Sequence, residues 1–201
     1  MKKILLLLII ALSTNMFASE FSSIIPGISF AAGGRYDEVR MCVASPAGFK
    51  GGPAFEFAAF VLEGRINQYI GLGFYIPIAR PVLFAAAFKM LQFIPEAVIS
   101  FHIPVNEKTD FATDIGLGAS LHYGPDYRSG NNPGDFHGDS FFAAGPRASI
   151  FAGFIYYLND TISFKAGVRP YFEYLIAEQI NGKVIGAELD IQLRFILKSN
   201  K

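Results

Sequence analysis

The sequence predicts an all-β chain folded as an antiparallel up-and-down β-barrel that crosses a membrane. Three observations lead there. From Lys183 to Leu197 every second residue is apolar (Ile185, Ala187, Leu189, Ile191, Leu193, Phe195, Leu197), and Gly186, Glu188, Asp190, Gln192 and Arg194 stand between them. Successive side chains on a strand face opposite sides of the sheet, so one face of this segment asks for hydrocarbon and the other for a polar interior. Second, 52% of the residues are hydrophobic and 17% charged, yet the best candidate for a helical span, Val82 to Val105, is interrupted by Lys89, Gln92, Pro95, Glu96 and His102. Charges at the centre of a spanning helix cost roughly 2.5 to 3.5 kcal/mol each on insertion scales, which favours strands over a helix here. Third, the chain opens with Met1, Lys2 and Lys3, then an apolar run from Ile4 to Leu12, then Ser13 to Ala18. This is the order of a secretory signal, and its apolar core is about half of the ~20 residues a spanning helix needs. Cleavage after Ala18 is expected, which leaves residues 19–201 as a single barrel domain.

The elements follow in order from the same alternation. Ile24 to Arg35 reads as a strand, with Ile24, Ile28, Phe30 and Ala32 outward and Gly27, Ser29, Ala31, Gly33 and Arg35 inward. Pro53 to Arg65 and Tyr69 to Ala79 form a hairpin about Gly64 to Gln68, and the second arm sets Ile70, Leu72, Phe74, Ile76 and Ile78 against Gly71, Gly73 and Tyr75. Phe84 to Ile103 is one long strand bent at Pro95, or two short ones turning there. Asp110 to Tyr123 alternates cleanly, Phe111, Thr113, Ile115, Leu117, Ala119, Leu121 and Tyr123 opposing Asp114, Gly116, Gly118, Ser120 and His122. Fourteen such residues at ~3.4 Å each, tilted by ~40°, reach about 35 Å, which exceeds the ~25 Å apolar band of an outer-membrane barrel. In Ser140 to Tyr157 the pattern is weaker, because Phe141, Phe151 and Ile155 fall in the polar phase. Thr161 to Tyr174 follows a tight turn at Asn159 and Asp160, and Pro170 within it marks a bulge or an end of pairing, since proline donates nothing to the ladder. Lys183 to Leu197 is last.

Eight strands result if the segment around Pro95 is one bent strand; ten result if it is two and Glu38 to Ala44 is also recruited. The eight-strand count gives, at most connections, the alternation of long and short that barrels with short turns on one side and longer loops on the other require. The chain has no tryptophan, and its nine tyrosines, among them Tyr36, Tyr69, Tyr123, Tyr156, Tyr157, Tyr171 and Tyr174, are expected to supply the interfacial aromatic girdles.

The segment from Gly186 to Phe195 resembles the C-terminal targeting strand of outer-membrane proteins, with Gly186, Leu189, Ile191, Leu193 and Phe195 carrying the match. Together with the signal, the length and the strand count, the whole mature chain resembles small outer-membrane barrels of the OmpA-domain and OmpW type. The resemblance implies a bacterial outer-membrane location, with outer-membrane lipid and the barrel-assembly machinery as partners.

The inward positions hold Arg35, Lys89, Asp114, His122, Arg147, Lys165, Arg169, Glu173, Glu188, Asp190 and Arg194. An eight-stranded barrel is just wide enough for side chains to fill it, so charges of both signs packed there pair and plug the lumen. The expected role is structural or surface-interacting; passage of small solutes through a narrow lumen is the alternative within the same fold. A soluble periplasmic ligand-binding barrel is the alternative outside it, and would place Ile185 through Leu197 in the core.

An enzyme is not expected. Ser120 and His122 share an inward face, as do Ser100 and His102, but Asp114 lies roughly 26 Å along the strand from His122 and cannot orient it. His137 with Asp135 and Asp139 has no recognised metal-ligand spacing, and no cofactor is implied. Without Lys2 and Lys3 of the signal, the 17 basic residues fall two short of the 17 acidic ones, so nothing points to nucleic acid. Cys42 has no partner for a disulfide and is too far from the cleavage site to be lipid-modified. The loop Gly124 to Asp139, rich in glycine and aspartate, is either a connector or the place where a host or extracellular ligand binds.

Overall fold

The structure, a computed structural model, describes residues 22–38, 48–77, 91–125, 140–177 and 181–198. Strand segments follow in chain order as β1 Ser23–Asp37, β2 Gly48–Arg65, β3 Ile70–Ile76, β4 Leu91–Phe93, β5 Glu96–Asn106, β6 Thr109–Pro125, β7 Ser140–Tyr157, β8 Ile162–Ala177, β9 Asn181–Phe195 and β10 Leu197–Lys198. Leaving aside the short segments β4 and β10, successive strands pair antiparallel, and β1 closes the sheet on β9.

β4 and β5 both pair with β6 in one register, Phe93 opposite Leu121 and Glu96 opposite Gly118. They are two halves of a single strand, broken only at Ile94 and Pro95. β10 in turn continues β9 past Ile196 and pairs with β1. The ten segments therefore make an eight-stranded ring, and the ten-strand count is set aside. Glu38 extends the closing seam by one step: its amide donates to the Lys183 carbonyl at 2.9 Å, and the Lys183 amide donates to Glu38 Oε2 at 3.0 Å. The remainder of the proposed additional strand, 39–44, lies outside the described residues, as do the signal segment 1–18, Cys42, Lys89 and His137.

One end of the barrel carries the chain ends of the sheet, Ser23 and Lys198, and three short connections at residues 66–69, 107–108 and 158–161. Two of these turns use the same device. Asn67 Oδ1 accepts from the amides of Tyr69 and Ile70 at 2.8 and 2.9 Å, and Asn159 Oδ1 accepts from those of Thr161 and Ile162 at 2.9 and 2.8 Å. A side-chain amide that mimics the missing backbone acceptor fixes a tight reversal. The opposite end bears the three longer connections, 38–47, 77–90 and 126–139, and the short one at 178–180.

Alternation along each strand sorts the side chains into a wall and a lumen. Leu189 is 55% exposed on the outside and its neighbour Asp190 is 0% exposed on the inside. The outward positions carry Ile28, Phe30, Ile99, Phe101, Ile115, Leu117, Phe154, Val168 and Ile191, all exposed. Among the described side chains, exposed charges occur only at the rims: Glu38 and Lys183 at the long-loop end, Glu107, Lys108, Asp160 and Lys198 at the short-turn end. This distribution overturns the soluble alternative, which needed Ile185 to Leu197 in the core. No helix among the described residues is long and apolar enough to cross a membrane.

Of the two readings of Pro170, the bulge is set aside, because the β7–β8 and β8–β9 registers run through it unshifted, while the break in pairing is found toward β7 alone, its backbone still facing Ala187 of β9. Two local expectations are corrected. Tyr171 is buried in the lumen and Tyr157 is half-buried facing it, so neither belongs to a girdle, whereas Tyr36, Tyr123 and Tyr174 at one end and Tyr69 and Tyr156 at the other are exposed. Phe151 and Ile155 are not out of phase: both point inward and are fully buried, since a lumen lined by guanidinium groups also takes aromatic and aliphatic surface. Room for the Phe151 ring comes from the cross-strand pair Gly153 and Gly167. A Cβ on Gly167 would lie 2.3 Å from the Ala152 carbonyl and 2.6 Å from Phe151 Cζ.

Candidate functional site

The chemistry of this chain sits in the lumen, where the inward phase of every strand converges. Arg35, Asp114, Arg147, Lys165, Arg169, Glu173, Glu188, Asp190 and Arg194, together with His122, are buried there. They form three tiers.

Toward the long-loop end, Arg35 Nε lies 3.0 Å from Asp37 Oδ1 on its own strand. Arg147 on β7 bonds both Glu96 on β5 and Glu173 on β8, and its guanidinium stacks 4.1 Å above the Tyr171 ring. Ser149 donates to the second Glu96 oxygen at 2.7 Å. In the middle, Arg169 donates through Nε and Nη2 to Asp190 Oδ2 at 3.0 and 2.8 Å, and Asp190 also accepts from Ser29 at 2.6 Å and Gln192 at 3.0 Å. Lys165 Nζ donates to both oxygens of Asp114 at 2.7 and 2.6 Å. Phe151 and Tyr75 give these cations aromatic faces: Arg169 lies 4.3 Å from the Tyr75 ring, and Lys165 lies 4.6 Å from the Phe151 ring. Glu188 is buried beside this tier, opposite Arg169 in the β8–β9 register.

At the short-turn end Glu63 gathers three donors. Arg194 Nη2 bonds its Oε2, His102 Nε2 lies 2.9 Å from its Oε1, and Arg65 Nε donates to Oε1 at 3.2 Å. Arg65 Nη2 meets His102 Nδ1 at 3.2 Å, so the neutral imidazole with its proton on Nε2 satisfies both neighbours. Arg65 also donates to the Tyr157 hydroxyl at 2.8 Å, which donates in turn to Asp110 at 2.5 Å.

Between the lower tiers, Glu63, Ser100, Asp114, Lys165 and Arg169 border a cavity of about 20 Å³, space for one water. A larger recess of about 390 Å³ opens beyond Arg65 at the short-turn end. Among the described residues five cations and eight carboxylates are buried, with Arg65 a sixth, half-buried cation, so the lining carries both signs rather than the single-sign field that steers ions of one charge.

The inward set read from the sequence lacks Asp37, Glu63, Arg65, Glu96 and Asp110, although parity along the strand reaches each of them; Asp37 lies two residues past Arg35. Glu63 is two residues from Arg65, Glu96 lies four and six from Ser100 and His102, and Asp110 lies four before Asp114. The Ser120–His122 pair is real, with Oγ and Nε2 2.6 Å apart, and it has a carboxylate that counting along one strand could not find: Glu173 of β8, 3.4 Å from the imidazole. That carboxylate approaches Nε2, the nitrogen Ser120 already meets, whereas a hydrolytic relay needs the acid on Nδ1. Among the described residues no group of three or more histidines, cysteines or carboxylates could hold a metal.

No protein-family model and no curated protein sequence matches this chain. Its architecture does match solved structures. Neisserial surface protein A superposes with a TM-score of 0.61 at 11% identity, over 88% of this chain and 97% of that one. The outer-membrane protein OprG of Pseudomonas aeruginosa gives 0.50 at 11% identity, over 90% and 98%. The fold is that of a small outer-membrane β-barrel. Within this fold, Gly186, Leu189, Ile191, Leu193 and Phe195 lie on β9, which forms the closing seam with β1.

Proposed function

We propose that this protein is exported by a signal segment cleaved after Ala18 and resides in a bacterial outer membrane as a structural or surface-presenting barrel whose lumen is plugged. The observation that carries this reading is the lumen among the described residues: the cavity bordered by Glu63, Asp114, Lys165 and Arg169 has about 20 Å³, and those four charges are paired with one another or with near neighbours. A path for even a hydrated ion has to break such pairs and leave charges buried without partners. The apolar wall supports lipid as the surrounding solvent, β9 supports delivery by the assembly machinery, and the loop 124–139 is the segment assigned to an extracellular partner. The lumen residues act as positioning and filling groups in this reading, with no catalytic role and no nucleic-acid partner.

The test is conductance. Purified protein in a planar bilayer is expected to show no discrete openings, and Arg169→Ala is expected to stay silent as well. Openings in the unaltered protein, abolished or rescaled by that substitution, would replace the plug with the narrow solute channel.

A further inference from the structure

The recess at the short-turn end does not belong to the plug. Its volume of about 390 Å³ is within the ~300–1,000 Å³ of small-molecule sites. In barrels of this class short turns face the periplasm, so the recess opens there. Arg65 forms its ceiling. The guanidinium spends Nε on Glu63 and Nη2 on Tyr157 and His102, at 3.2, 2.8 and 3.2 Å. Nη1 faces Asp110 as an ion pair at 3.7 Å, a separation that leaves its N–H groups without a hydrogen bond to that carboxylate. Two N–H donors of a fixed cation are thus left for whatever enters the recess that Arg65 lines.

The rest of the wall defines what that is. Lys198 is taken by Asp160 at 3.2 Å on the rim. Lys108 lines the recess and makes no ion pair among the described residues, and Glu107 beside it is the one uncommitted acid. Ile25, Leu158 and Ile196 supply apolar surface on the same recess. A cationic ceiling over aliphatic walls fits a small molecule with an anionic head and a short apolar tail, and a planar carboxylate is the head a guanidinium edge matches.

We propose that this recess binds small amphiphilic carboxylates, with the carboxylate on Arg65 Nη1 and Lys108 and the tail against Ile25, Leu158 and Ile196. The layer of Arg65 and Glu63 stands between the recess and the inner cavity, so binding here requires no passage through the lumen.

The full chain in lipid nanodiscs, titrated with hexanoate, acetate and hexanol, tests this through the backbone amide NMR shifts of Lys108 and Asn159. Empty nanodiscs give the partitioning baseline. Hexanoate is expected to shift both amides saturably, with acetate and hexanol each at least tenfold weaker. Arg65→Gln is expected to weaken hexanoate at least tenfold. Because Arg65 also braces Glu63 and Tyr157, Lys108→Gln on the exposed turn is the control that leaves the barrel intact; a several-fold weakening is expected. Hexanol binding as tightly as hexanoate would overturn the anionic head, acetate binding as tightly would overturn the apolar wall, and hexanoate binding unchanged in both variants would overturn the site. Conductance by the unaltered protein would overturn the plugged lumen while leaving this proposal standing.

Discussion

Replacing Arg169 with Met leaves one carboxylate stranded, and the structure says which. Arg169 approaches three carboxylates: Asp190 at 2.8 Å, and Asp114 and Glu96 at 3.7 Å each. Asp114 keeps both bonds from Lys165, and Glu96 keeps Arg147 and Ser149. Asp190 keeps only the neutral donors Ser29 and Gln192, inside a lumen where it is fully buried. Removing one partner of a buried pair costs about 3 to 5 kcal/mol, which is roughly two to four decades in the folding constant. Adding Asp190→Asn removes the stranded charge while an amide oxygen still accepts from Ser29, so the double variant is expected to recover more than half of the loss. The chain has no tryptophan, so the assay is urea unfolding in lipid vesicles followed by far-UV circular dichroism and by the mobility shift of unheated samples on gels. A single variant within about 1 kcal/mol of the parent, or a double variant as unstable as the single, would refute the reasoning.

Other consequences are independent of that pair. A nitroxide label at position 189 is expected to be reached by a lipid-soluble relaxant and one at position 190 to be shielded from it; the reverse would exchange wall and lumen. Phe151→Ala removes the ring beneath Lys165 and Arg169 and should destabilise by about 3 to 5 kcal/mol in the same vesicle assay. Gly167→Ala places a methyl 2.3 Å from the Ala152 carbonyl, and should cost about 1 to 3 kcal/mol through overpacking. A fluorophosphonate probe is expected to leave Ser120 unlabelled, because the hydroxyl is fully buried and its histidine meets Glu173 through the same nitrogen; stoichiometric labelling lost in Ser120→Ala would show a nucleophile.

Much of this fold was legible because a membrane barrel is written in parity. On β9 the period-two pattern from Ile185 to Leu197 carries the face assignment without help from any contact, and parity from Asp114 places Ser120 and His122 on the same side. Parity fails where the lumen accepts apolar groups. Phe151 and Ile155 look like errors of phase in the sequence and are instead part of the polar interior, because cations there need aromatic faces as well as carboxylates. Tyr171 misled for the converse reason: an aromatic residue reads as a girdle element until the Arg147 guanidinium is found stacked on it. Partnerships are less legible than faces. Nothing along the chain ties Glu63 to Arg194 or His122 to Glu173, since those distances depend on how closely the curved ring brings together strands two apart. The recess under Arg65 is likewise made by two separate turns, the start of β1, the end of β2 and the segment after β9, and no local sequence signal announces it.

The pattern of pairs also decides between a plug and a conduit on energetic grounds. Glu63 on β2 meets Arg194 on β9 across β1; Glu96 on β5 meets Arg147 on β7 across β6; Asp114 on β6 meets Lys165 on β8 across β7. Each of these bonds skips a strand, so it braces the cross-section in a way the hydrogen-bonded ladder between neighbours cannot. A continuous path must sever at least one such brace in every tier. At about 3 to 5 kcal/mol per stranded charge, three severed braces approach or exceed the whole ~5–15 kcal/mol stability of a typical domain. Opening is affordable only where a cation has a second carboxylate waiting. Among the described residues the geometry provides that to Arg169, between Asp190, Asp114 and Glu96, to Arg147, between Glu96 and Glu173, and to Arg65, between Glu63 and Asp110. Lys165 has Asp114 alone and Arg194 has Glu63 alone within 4 Å, so the middle and short-turn tiers each hold a brace with no alternative partner, and those two braces are where a conducting barrel of this sequence would have to give way.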